Sequence, residues 1–250
     1  MGFDVDEQGR GDPVAECRFL LARAREAQIP LRAMGGVAVA LRCPTAGSPP
    51  LARDYQDVDF ATTSGGNAAI EALFKDAGYS CDPEFNAING HRRLMFWDSQ
   101  AGRKVDVFVD QIEMCHALDV RERVGLDEET LPLADLLLLK LQVVETAQKD
   151  YLDLMALFAD HPIEPGAIDG NYVAEVLARD WGWWRTVTGS LDRLMEHMST
   201  LSDFASRDDV AARVDALAEQ IAAAPKSRRW KVRARVGERV SWHNLPEEVT

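Results

Sequence analysis

The sequence predicts an α+β protein: a mixed sheet flanked by helices, followed by a helical C-terminal region. Three observations carry this. Short apolar runs with period-two alternation occupy the front half, as in His91–Trp97 and Lys104–Val109. From Leu133 onward apolar residues recur at helical spacing instead, as at Val210, Val214, Leu217 and Ile221. The character changes across residues 125–132, so the domains are expected at 1–128 and 129–250.

The elements read in order as follows. Residues 1–11 are polar and read as disordered. Asp12-Pro13 is a capping residue followed by a proline suited to a first turn, and Val14, Cys17, Leu20, Leu21 and Ala24 continue a helix to about Gln28. Leu31–Met34 reads as a short strand. Gly35-Gly36 follows, and Val37–Leu41 is too short for periodicity to separate helix from strand. Pro44–Arg53 is a loop, Asp57–Thr62 a strand, Ser64-Gly65-Gly66 a turn, and Asn67–Ala77 a helix with Ile70, Leu73 and Phe74 inward. His91–Trp97 and Lys104–Val109 form an antiparallel pair around a turn at Asp98–Arg103. Helices are expected at Leu133–Val144, Ala147–Ala159, Tyr172–Met198 and Asp208–Ala223.

Composition narrows the function classes. The chain has 250 residues and a net charge of -13, which opposes non-specific nucleic-acid binding. Charge is uneven, because Lys226, Arg228, Arg229, Lys231, Arg233, Arg235 and Arg239 face only Glu238 in the same strip. That strip reads either as a solvated or acid-pairing face, or as a contact for an RNA end or a phosphate. No apolar run approaches the roughly 18 residues of a membrane helix, so no membrane partner is expected. The polar, acidic start is unlike a secretory signal, and Cys17, Cys43, Cys81 and Cys115 lack close pairing. Reduced thiols and a cytoplasmic location are the expectation.

The chemistry-bearing residues lie mainly between Met34 and Thr62. Asp57 and Asp59 are two apart on an expected strand, so their carboxylates share a side. Like charges that close favour a cation between them, and magnesium takes carboxylate and phosphate oxygens. In Lys104–Asp110 the valines fall on one face and Asp106 and Asp110 on the other. Alone, Asp106 reads as a solvated strand residue. Beside Asp57 and Asp59 it reads as a third ligand of a two-metal site. Gly35 and Gly36 allow close backbone approach, and a helix after them would offer N–H groups to phosphate. Lys140 shares a helix face with Leu133, Leu136, Leu137 and Val144, so it must reach water or meet an anion. Asp150 and Asp153 share a face of the next helix and read either as partners of such a group or as capping and surface acids.

The combination Gly35-Gly36, Asp57-Val58-Asp59 and Asp106 resembles the nucleotidyltransferase, or polymerase-beta-like, superfamily. It is most similar to the AbiEii-like branch, which includes toxins of toxin–antitoxin and abortive-infection systems. That branch has a G-G-T-A-L segment, a loop arginine and D-I-D-F. Here the chain reads Gly35-Gly36-Val37-Ala38-Val39-Ala40-Leu41, Arg53 and Asp57-Val58-Asp59-Phe60. Leu139-Lys140-Leu141 and Lys149-Asp150-Tyr151-Leu152-Asp153-Leu154 are similar to its downstream motifs. Val37 departs from the pattern, where the family often has Ser or Thr.

The resemblance implies a nucleotidyltransferase-like fold and transfer of a nucleoside monophosphate from an NTP to an acceptor hydroxyl, releasing pyrophosphate. Asp57, Asp59 and Asp106 would hold Mg2+ or Mn2+, and Gly35, Gly36 and Arg53 would meet the triphosphate. Lys140 would balance charge, and Asp150 would position it or the base. A tRNA end, a protein or a small molecule fits as acceptor, and an antitoxin protein as partner. The alternative is a non-catalytic relative that binds nucleotide or a partner. Trp181, Trp183 and Trp184 read as helical core or as a base-stacking cluster. His91-Arg92-Arg93 reads as a solvated strand start or as facing the acceptor.

Overall fold

The computed structural model describes residues 11–244, so the expected disorder of 1–11 lies almost wholly outside the described residues. Among these residues the chain divides into two compact units. The first comprises residues up to Arg42, Asp54–Ile112 and Leu118–Pro132, and the second Cys43–Arg53, Glu113–Ala117 and the residues from Leu133 on. The main break thus falls at 132/133 rather than 128/129, and two short segments join the second unit. In each unit the cause is hydrogen bonding. Ala33 donates to the Glu129 carbonyl (2.9 Å) and accepts from Leu131 (3.0 Å), which holds 129–131 to the first unit. Thr45 donates to Asp160 through its amide (3.0 Å) and hydroxyl (2.8 Å), and the His116 amide donates to Gln142 (2.9 Å), within the second.

The first unit opens with helix α1 (Pro13–Glu26), whose cap Asp12 accepts from the Val14 amide as expected. It stops before Gln28, which adopts a φ of 57°. Strand β1 (Arg32–Met34) leads directly into helix α2 (Gly35–Arg42), which settles the open choice at Val37–Leu41 in favour of helix. Strand β2 (Val58–Thr62), helix α3 (Asn67–Asp76), strand β3 (Ser80–Cys81), helix α4 (Pro83–Asn89), and strands β4 (Arg93–Asp98) and β5 (Arg103–Val109) follow. β3 and α4 lack the periodicity that marks the longer elements. Strands β6 (Gln111–Glu113) and β7 (Ala117–Asp119) pair as a small separate sheet.

The main sheet has the order β1-β2-β5-β4-β3. β2 and β5 are parallel, with Asp59 beside Asp106 and Phe60 beside Val107. β4 and β5 form the expected antiparallel hairpin, with Met95 beside Asp106. Period-two alternation therefore sorts the sheet into two faces. One carries Val58, Phe60, Leu94, Phe96, Val105 and Val107, all buried, and α3 lays Phe74 against it. The Phe74 ring stacks on Phe96 at 4.1 Å and meets Phe60 edge-on at 6.3 Å. This apolar packing is what forces Asp59 and Asp106 onto the opposite face.

The second unit is helical: α5 (Leu133–Leu141), α6 (Gln148–Asp160), α7 (Gly170–Arg179), α8 (Trp181–Ser199), α9 (Arg207–Ala223) and α10 (Arg228–Val236). The expected single helix over Tyr172–Met198 is broken at Asp180. Asp180 is extended (φ -130°, ψ 122°) and its carboxylate accepts from the amides of Gly182 and Trp183. A carboxylate that satisfies two amide donors makes a new helix start more favourable than continuation. Among the described residues no helix is long and apolar enough to cross a membrane.

Candidate functional site

In the first unit the site is built where β1 turns into α2. Gly35 has a φ of +69°, a conformation costly for residues with a side chain. A Cβ there would stand 2.6 Å from Asp59 Oδ2. Met34 is the antiparallel partner of Asp59, so the first residue of α2 is delivered to that carboxylate by sheet register. The start of a helix presents unsatisfied N–H groups and the positive end of its dipole. Gly36 is partly exposed beside it. Val37 is buried and serves the core.

Asp57 lies one residue before β2 and is exposed, while Asp59 is half-buried within the strand. Asp106 is 6% exposed. Arg93 forks it: Nε donates to Oδ1 (2.9 Å) and a terminal nitrogen to Oδ2 (2.7 Å). Lys104 Nζ lies 3.6 Å from the same Oδ2. The Arg93 guanidinium also sits over the Phe108 ring at 5.0 Å. Arg93 therefore pairs with an acid rather than standing as a solvated strand start, whereas His91 and Arg92 are exposed. Asp110 leaves the strand with a φ of 62° and accepts from the Ser64 amide (2.8 Å).

Among the described residues no three His, Cys, Asp or Glu side chains are grouped to hold a metal ion. The donor set nonetheless suits one magnesium in kind. Asp59 supplies hard carboxylate oxygens beside a glycine cradle that a Cβ would fill, and Asp57 precedes it by two residues in the chain. Asp106 does not fit as an open third ligand, since Arg93 holds both its oxygens.

The second unit gathers Arg53, Lys140, Asp150 and Asp153 into one ionic cluster. Arg53 forks Asp153, with Nε to Oδ1 at 2.8 Å and a terminal nitrogen to Oδ2 at 2.7 Å. Lys140 Nζ lies 2.7 Å from Asp153 Oδ2 and 3.0 Å from Asp150 Oδ1. Asp150 also accepts from the Ala147 amide (3.3 Å), so it serves both as helix cap and as ion-pair partner. Burial pulls the Lys140 ammonium down, but Asp153 and Asp150 outweigh it and its pKa is raised above the ordinary lysine value. Asp153 is the central acid, shared by both cations.

Other candidates resolve as follows. Trp181 and Trp183 are buried, and Trp183 stacks on His116 at 4.8 Å. Burial, reinforced by His243 and opposed by Asp180, pushes the His116 pKa down to about 4. Part of the basic strip is committed to the fold. Arg233 lies over Trp181 at 4.7 Å and Trp230 meets Trp184 edge-on at 5.3 Å, while Arg228, Arg229, Lys231, Arg235 and Arg239 are exposed. Cys17, Cys43 and Cys115 are buried thiols and Cys81 is exposed.

Sequence reasoning read Arg93 as a solvated strand start or as facing the acceptor and gave Lys104 no role, and it paired neither with Asp106. A signal existed. With the turn at Asp98–Arg103, alternation puts Arg93, Lys104 and Asp106 on one face, and Arg93 lies diagonal to Asp106.

No family model matches the sequence, and no curated protein matches it. Among solved structures, the chain is similar to the STING-associated CdnE c-di-GMP synthase from Capnocytophaga granulosa. The identity is 12%, with 88% of each chain covered and a TM-score of 0.24.

Proposed function

We propose that the first unit transfers a nucleoside monophosphate from an NTP to an acceptor hydroxyl. The observation that carries this is the approach of Gly35 to Asp59, which sets a helix start against a carboxylate on the adjoining strand. A helix start attracts phosphate, and a carboxylate repels it unless a cation lies between. The pair therefore suits a metal-bound triphosphate better than a bare anion.

In this reading Asp57 and Asp59 would hold Mg2+ or Mn2+, and Gly35 and Gly36 would admit the phosphates to the α2 amides. The bound metal would neutralise phosphate charge as it builds in the transition state. The acceptor oxygen bonds to the α-phosphorus while the bond to the pyrophosphate oxygen breaks. The hydroxyl proton leaves to solvent. The chain's own contribution is positioning and fixed electrostatics. Within the second unit, Asp153 and Asp150 keep Lys140 cationic and Asp153 fixes Arg53. A tRNA end, a protein hydroxyl and a small-molecule hydroxyl all fit as acceptor, and an antitoxin protein fits as partner.

One observation favours a binding-only relative instead: the Arg93 fork on Asp106. Incubation with α-labelled NTPs, Mg2+ and an acceptor panel separates the two, with Asp59→Ala as control. Transfer predicts acceptor labelling and pyrophosphate release that Asp59→Ala loses. Nucleotide binding without pyrophosphate release across the panel, or equal labelling in the variant, contradicts it.

A further inference from the structure

The face that carries Asp59 and Asp106 also carries two fixed cations. Arg93 and Lys104 flank Asp106 from β4 and from its own strand, two residues away in each case along the pleat. Their combined formal charge is that of one divalent ion. The guanidinium is restrained on three sides: by its strand, by the Phe108 ring at 5.0 Å, and by both oxygens of Asp106. Arginine cannot lose its proton in this setting, so the charge is permanent.

We propose that Arg93, assisted by Lys104, is the built-in counter-charge of Asp106 and replaces a second metal ion, so that the site works with a single divalent cation. This rests on the nucleotidyl-transfer reading above. A second metal would need Asp106 as a ligand, and to reach it would have to displace a bidentate charge-assisted pair from a nearly buried carboxylate. The Asp106 fork uses two of the five guanidinium N–H groups, and the other three are donors of the kind that phosphate oxygens accept. Arg93 would then do from the protein side what a second cation does elsewhere, stabilising phosphate charge without deprotonating the acceptor.

Metal counting tests this without relying on turnover. The protein is dialysed to equilibrium against Mn2+ and an α,β-methylene analogue of each common nucleoside triphosphate in turn. Retained manganese is then counted per retained nucleotide. One manganese per nucleotide is expected, and it should persist in Asp106→Asn, since Asp106 is not a ligand. Two per nucleotide in the wild type, or a loss on Asp106→Asn, overturns the inference alone. Absence of retained nucleotide with every analogue overturns the transferase reading and this inference with it. Arg93→Met should raise the count towards two by uncovering Asp106, and the wild-type and Asp106→Asn counts decide the matter if that variant fails to fold.

Discussion

Gly35 and Asp59 meet so closely that a single methyl group at position 35 would lie 2.6 Å from Asp59 Oδ2. The contact joins the end of β1, the start of α2 and the middle of β2. Backbone conformation and site chemistry thus impose the same requirement at one residue.

Gly35→Ala should therefore cost stability and ligand binding together. The positive φ alone should destabilise by about 1–2 kcal/mol, and displacement of Asp59 should weaken magnesium–NTP binding further. Gly36→Ala lacks the positive φ and should have a smaller effect on stability. Thermal melts with and without nucleotide and magnesium check this. Equal stability of Gly35→Ala and the wild type would show that the turn accommodates a side chain.

Asp153 should matter more than Asp150 for stability. It is the shared acid of Arg53 and Lys140 and is almost wholly buried, so Asp153→Ala leaves two cations short of a partner. The expected loss is about 3–5 kcal/mol, as for one half of a buried pair. Asp150→Ala leaves Lys140 with Asp153 and should lose less. Urea unfolding of both variants reads the order directly.

His116 should make the second unit acid-sensitive between about pH 6.5 and 4. Its folded pKa is lowered to about 4 by burial, so the unfolded chain binds the proton first as pH falls. Stability contributed by the neutral ring is complete above the unfolded value and is lost as pH drops towards the folded one. The slope is at most about 1.4 kcal/mol per pH unit. His116→Gln should flatten this part of the stability–pH curve, followed through Trp183 fluorescence, since that ring stacks on His116. A curve of unchanged slope in the variant would assign the sensitivity to other groups.

Local patterns made much of the fold legible. Alternation in Lys104–Val109 is a property of a strand by itself, and a proline after Asp12 marks a helix start by itself. The expected strand over Asp57–Thr62, by contrast, begins only at Val58, so Asp57 is not held to the Asp59 face by strand alternation. Lys140 in a leucine-rich helix had to reach water or meet an anion, and the structure supplies Asp153 and Asp150. What stayed hidden depends on register between segments. Arg93 could be matched to Asp106 only by fixing the hairpin pairing, and Arg53 to Asp153 only by bringing together segments a hundred residues apart. The break at Asp180 was obscured because apolar spacing continues across it, while capping is decided by the carboxylate's own geometry. Likewise β3 and α4 are too short to show a period.

The central claim is that Asp59 and a divalent cation together hold a triphosphate against the start of α2. Calorimetric titration of NTP into the wild type and into Asp59→Asn, each with and without Mg2+, tests it most directly. Binding to the wild type should require Mg2+, and Asp59→Asn should weaken it by at least about tenfold, or roughly 1.4 kcal/mol. Equal affinity in the variant, or binding indifferent to Mg2+, would contradict the account.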